Sequence, residues 1–119
     1  LYDLGANVHR ARNNGARPIH DAAREGQDRS VLLLLSLRAL VDTQDNEGRT
    51  PCWTAAFNGH AKGIRLLIMY RASPALPSLG DTPLYIAAQE NKPECIAILA
   101  AAKASLEGAK ADSPIGMAA

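Results

Sequence analysis

The chain is poor in several things at once. Its 119 residues include two cysteines, one tryptophan, one phenylalanine and three tyrosines, so aromatic side chains make up only 4%. Two cysteines, Cys52 and Cys95, are too few for a disulfide scaffold or a cysteine-rich zinc site, and a reducing compartment becomes the default. Neither sign of charge dominates. Thirteen basic and twelve acidic residues leave a formal net charge of +1, without the excess that dedicated nucleic-acid or anionic-membrane binders carry. Long apolar runs are also missing: the longest, Cys95 to Ala102, has eight residues, against the roughly 20 that a membrane-spanning helix needs. The length fits one domain.

What is abundant is alanine, with 22 residues inside an apolar share of 47%. Such a composition points to many small helix contacts in place of one bulky centre. Four segments repeat: Arg17-Pro-Ile-His-Asp-Ala-Ala23, Thr50-Pro-Cys-Trp-Thr-Ala-Ala56, Thr82-Pro-Leu-Tyr-Ile-Ala-Ala88 and Ser113-Pro-Ile-Gly-Met-Ala-Ala119. Their prolines are 33, 32 and 31 residues apart. Arg38-Ala39, Arg71-Ala72 and Lys103-Ala104 close the three complete copies, each with its basic residue 20 positions after the proline. The packed part of the unit is therefore constant in length, and the connector absorbs the variation, as loops do.

Each unit reads as a helix pair. Thr50, Thr82 and Ser113 are N-cap residues, and the proline after each takes the first helical position, where its missing N–H costs nothing. Gly26 and Gly59 stop the first helix, and a second follows, opened in the third unit by Lys92-Pro93-Glu94. The larger apolar residues sit on the second helices: Val31, Leu33 and Leu34; Ile64, Leu66 and Leu67; Ile96, Ile98 and Leu99.

In-phase Thr-Pro, paired alanines, Gly-His and a Leu-rich second helix resemble the ankyrin repeat. The resemblance covers nearly the whole chain and implies an all-α solenoid of stacked helix-turn-helix units joined by hairpin-like fingers. On it, residues 1–11 are the tail of a preceding repeat, 12–44, 45–76 and 77–108 are whole repeats, and 109–119 begin another. End layers of a solenoid need polar caps. Leu1, Tyr2 and Leu4 at one end, with Ile115, Met117 and Ala118 at the other, predict a piece of a longer array, or else ends covered by partners or cut by disorder.

The sequence departs from the family pattern in places. Arg38, Arg71 and Lys103 stand where the family has a left-handed glycine, at a cost on the order of 1 kcal/mol each. A cation at a helix C-terminus recovers part of this from the helix dipole; alternatively the three form a basic stripe, roughly 10 Å apart in stacked layers, facing an acidic partner. Pro74 and Pro77 remove donors from the third finger and predict a distorted hairpin. Arg17 replaces the capping Thr of the first whole repeat, with Asp21 as its expected partner. His20, Trp53 and Tyr85 share one position, which the resemblance makes an inter-repeat packing site.

Catalytic chemistry finds no support. A nucleophile with base and orienter is absent, and His9, His20 and His60 are scattered over different repeats without ligands at helical spacing. No Gly-rich phosphate loop occurs. Cys52 and Cys95 read as small buried hydrophobes. Arg10, Arg12 and Arg17 beside His9 read as a solvated loop, so nucleic acid is not expected. The expectation is a noncatalytic protein-interaction module without cofactor or metal, cytoplasmic or nuclear by default.

The resemblance places partner contacts on the finger tips and the exposed side of the first helices, the concave surface. Position by position these are Asn13, Asn14, Ala16, Arg24 and Glu25; Asn46, Glu47, Arg49, Phe57 and Asn58; and Ser78, Leu79, Asp81, Gln89 and Glu90. Phe57 and Leu79 are the expected anchors, since large apolar side chains dominate interface energetics. A rival surface is a convex apolar patch of Leu32, Leu37 and Leu40, suited to permanent docking in a larger assembly. A third reading makes the array the noncatalytic arm of a larger enzyme or channel.

Overall fold

The computed structural model describes residues 8–111, with side chains described as far as residue 103. Leu1, Tyr2, Leu4, Ile115, Met117 and Ala118 therefore lie outside the described residues, as does the fourth Pro segment. Among the described residues six helices run in order: α1 (Pro18–Glu25), α2 (Asp28–Ser36), α3 (Pro51–Asn58), α4 (Ala61–Met69), α5 (Pro83–Gln89) and α6 (Pro93–Ala111). Among the described residues the only β-structure is an isolated bridge between Ser78 and Asp81.

Local chemistry sets the helix starts. Thr50 and Thr82 cap α3 and α5, their hydroxyls accepting from the N–H groups of Trp53 and Tyr85 at 3.1 Å each. Arg17 has no side-chain acceptor to offer α1. Instead the His20 ring turns back, and its Nδ1 accepts from the Arg17 backbone N–H at 2.9 Å. The expected Arg17–Asp21 pair is corrected: the Arg17 guanidinium reaches to Thr43 Oγ1 near the end of the same repeat. Asp21 is held instead by Arg12 at 2.6 Å and Arg24 at 3.5 Å.

Left-handed residues end the helices. Gly26 (φ 69°) and Gly59 (φ 79°) stop α1 and α3, and Asn91 (φ 57°) takes the same place after α5. Arg38 and Arg71 do adopt the left-handed conformation, with φ 69° and 71°. Lys103 does not. It lies inside α6, which runs without a break to Ala111, because Ala100, Ala101, Ala102 and Ala104 around it all favour helix.

First helices stack on first helices, α1 on α3 on α5, and second on second, α2 on α4 on α6. Buried Ala22, Ala23, Ala55, Ala56 and Ala87 let the inner row approach closely, while Val31, Leu35, Ile64, Leu67 and Leu99 fill the space between rows. Cys52 and Cys95 join this core as the small hydrophobes expected. Leu33 does not: at 49% exposure it faces outward, since a 3.6-residue period that buries Val31 and Leu35 turns Leu32 and Leu33 away.

The fingers explain the shrinking repeat. In the first two, Arg12 and Asp45 N–H donate to the carbonyls of Ala16 and Arg49 at 2.8 and 3.0 Å, closing three-residue tips that end in left-handed Gly15 and Gly48. The third tip has two residues. Ser78 and Asp81 exchange N–H to carbonyl bonds at 2.8 and 2.9 Å around Leu79 (φ 53°) and Gly80 (φ 87°), the two positive φ values of a type I′ turn. Pro74 and Pro77 precede this bridge, so the finger still closes at its tip.

Candidate functional site

Two layers of the inner row meet at a groove. One wall carries Arg12, Asn14, Ala16, His20, Asp21 and Arg24, and the other Asp45, Arg49, Trp53, Thr54, Phe57 and Asn58. Its volume of about 200 Å³ falls below the roughly 300–1,000 Å³ of small-molecule sites.

Residues at one repeat position hold the layers in register. His20 Nε2 lies 2.8 Å from the Arg49 carbonyl, and the Trp53 indole N–H donates to the Asp81 carbonyl at 3.1 Å. Tyr85, the third residue of this set, is 56% exposed; the backbone that corresponds to Arg49 and Asp81 is at Asp112, outside the described residues. Burial is the main influence on His20 and lowers its pKa, outweighing the Arg49 carbonyl and the nearby Asp45 and Asp21.

Asp45 organises the second finger. Its carboxylate accepts from the N–H groups of Glu47 and Arg49, each at 2.9 Å, and from Arg49 Nε at 2.7 Å. Burial alone would raise this carboxyl, but the Arg49 and Glu47 donors outweigh it and the pKa is lowered. Adjacent fingers are also fastened: Asn46 donates from its backbone to the Asn14 carbonyl and from Nδ2 to the Asn13 carbonyl, both at 3.0 Å.

Most residues expected on the concave side are open there. Asn13, Asn14, Arg24, Glu25, Asn46, Glu47, Asn58, Gln89 and Glu90 are exposed, and Arg49 and Asp81 are half-buried. Phe57 is 41% exposed and stacks on Trp53 of the same helix, with ring centroids 5.6 Å apart. Leu79 is the most exposed large apolar side chain described, at 83%. Two residues are corrected. Ser78 is 2% exposed because its hydroxyl donates to the Glu47 carbonyl at 2.8 Å, and Ala16 is buried on the groove floor.

Sequence reasoning did not assign Arg12, Asp21 or Thr54 to the groove. The signal was available, since Asp21 and Thr54 lie one helical turn before Glu25 and Asn58 and share their face. On the outer side Leu32 and Leu40 are exposed and Leu37 is half-buried; Arg38 and Arg71 are exposed at helix ends, and Lys103 is exposed on α6. Among the described residues no three His, Cys, Asp or Glu side chains gather into a metal-binding group. Burial pushes the Cys52 thiol up to about 12, which removes it from thiolate chemistry.

A family profile described as ankyrin repeats, in three copies, matches residues 19–112. The chain belongs to the ankyrin-repeat family. Ankyrin repeats are generally noncatalytic protein–protein interaction modules. This ankyrin array is 31% identical over 103 residues to the tyrosine-protein kinase HTK16 of Hydra vulgaris, covering 84% of this chain and 14% of that protein. It is 44% identical to mouse Rabankyrin-5 over 57 residues, 48% of this chain and 5% of the relative. A mouse B-cell lymphoma 3 protein homolog is 32% identical over 95 residues, 76% of this chain and 21% of the relative. The chain thus spans a small part of the relatives it matches. No helix among the described residues is long and apolar enough to cross a membrane.

Proposed function

We propose that the chain is a noncatalytic interaction module whose concave groove receives a segment of a protein partner. Phe57 carries this reading. It is exposed at the groove edge and held in place by its stack on half-buried Trp53, so it offers a large contact area at little further loss of freedom on binding. Asn13, Asn14, Asn46 and Glu47 on the first two tips, with Leu79 on the third, supply the specificity around it. Arg24, Glu25, Arg49, Asn58, Asp81, Gln89 and Glu90 form the polar rim, where pairing excludes mismatched charge.

The matched segment is a minor share of a tyrosine-protein kinase and of Rabankyrin-5, which supports reading such an array as a binding arm that serves unlike proteins. Its partner is set by side chains on the array and not by the fold. The test is affinity capture from native extract, comparing the wild type with a Phe57→Glu/Leu79→Asp variant of equal helicity. Partners lost from the variant support the groove and fingers as the site. Partners retained by both remove them.

A further inference from the structure

The charges of this chain are balanced in number and segregated in space. On the outer row Arg29 of α2 and Lys62 of α4 occupy the same outward position in successive layers, and Leu32 and Arg65 share the next. Leu33 and Met69 complete the two outward faces, 49% and 73% exposed. Arg38 and Arg71 stand exposed just beyond the ends of the same helices, both held in a left-handed conformation that costs stability. Against these five cations the only carboxylate on α2 or α4 is Asp28. None of the five is ion-paired among the described residues, whereas Arg12, Arg24 and Arg49 on the finger side are each matched by a carboxylate.

We propose that this outer face docks on an anionic lipid bilayer surface and leaves the groove free for a protein. Charge complementarity selects the occupant: on α2 and α4 unpaired cations surround large apolar tips with Asp28 as the one acid, and the next carboxylate of the outer row is Glu94, at the matching position of α6. The cations spread over two helices roughly 10 Å apart instead of along one line. Lipid headgroups diffuse to meet such a two-dimensional array, and no fixed spacing is required of them. Leu32, Leu33 and Met69 protrude between the cations and enter the boundary between headgroups and acyl chains. The formal net charge of +1 conceals this face, because Asp21, Glu25, Asp45, Glu47, Asp81 and Glu90 lie on the first helices and fingers.

The test is co-sedimentation with vesicles of phosphatidylcholine alone and of phosphatidylcholine with about 30 mol% phosphatidylserine. The chain is expected to bind the anionic vesicles at about 0.1 M salt, to leave them at about 0.5 M, and to ignore the neutral ones. Lys62→Gln/Arg65→Gln is expected to weaken partitioning by about 30-fold, near fivefold per cation. Leu33→Ser/Met69→Ser should weaken it while preserving the salt dependence, and Arg10→Gln should leave it unchanged. All substitutions are at exposed positions, and circular dichroism checks that helicity is equal. Absence of binding to anionic vesicles, or binding indifferent to Lys62→Gln/Arg65→Gln, overturns the proposal. So does capture by immobilised poly-L-glutamate without vesicle binding, which assigns the face to an acidic protein.

Discussion

The Trp53 indole N–H donates to the Asp81 carbonyl at 3.1 Å, and so does for the second and third layers what His20 does for the first and second at the Arg49 carbonyl. Two unlike rings thus perform one task. Trp53→Phe keeps most of the apolar area and the stack with Phe57, and removes only the donor. The Asp81 carbonyl keeps the Ser78 N–H, so the loss is that of one hydrogen bond, about 0.5–1.5 kcal/mol. Urea unfolding followed by circular dichroism checks this, since Trp53 is the sole tryptophan and the variant has no indole fluorescence. A loss near zero would show that water replaces the indole at Asp81.

The His20 link has a pH dependence that the Trp53 link lacks. His20 Nδ1 accepts from the Arg17 N–H, so the folded state needs the neutral ring with its proton on Nε2. Burial, the largest influence, lowers the folded pKa below 6.5. In the unfolded chain the ring gains its proton as pH falls through about 6.5, while the folded chain resists. The stabilisation is therefore complete above that pH and is lost progressively as pH falls through the folded pKa. The urea midpoint of the wild type should drop between pH 7.5 and 5.0 more than that of His20→Gln. Taking the difference cancels Asp42, whose carboxyl is raised by burial against the opposing Ser73 N–H and contributes with the opposite sign.

Arg38, Arg71 and Lys103 stand the same number of residues after their prolines, yet the structure separates them. Replacing Arg38 or Arg71 by Gly relieves a left-handed side chain and should stabilise by about 1 kcal/mol, less the 0.3–1 kcal/mol or so that a cation gains at a helix C-terminus. Lys103→Gly acts inside α6 and should destabilise by about 1 kcal/mol. Chemical denaturation of the three single variants reads these opposite signs directly. A gain at Lys103 would mean that the helix ends there after all.

The same trio shows what could be read from sequence. Helix starts were legible because a cap hydroxyl and the proline after it are local, and the left-handed stops at Gly26 and Gly59 were legible for the same reason. Whether a helix continues past a cation depends on its neighbours. Tyr70 precedes Arg71, whereas alanines surround Lys103. Contacts between residues distant in sequence were harder still. The reach of Arg17 to Thr43 spans 26 residues, and the burial of Ser78 follows from a turn shortened by one residue that aims its hydroxyl at Glu47. Phe57 was expected to be open and is 41% exposed beside the groove, because its outward position follows from helical period alone.

Leu79 combines two costs that folding does not repay. It occupies the first central position of a type I′ turn at φ 53°, where Asn, Asp or Gly is favoured and a bulky side chain is strained. It is also 83% exposed, so its side chain returns almost no burial energy. Leu79→Asn should therefore stabilise the array, by a few tenths to about 1 kcal/mol, while weakening capture of any partner that seats this tip. Stability from urea unfolding and capture efficiency from native extract would move in opposite directions. If stability falls, the residue is there for the fold; if capture is unchanged or rises, the third finger leaves the list of contacts.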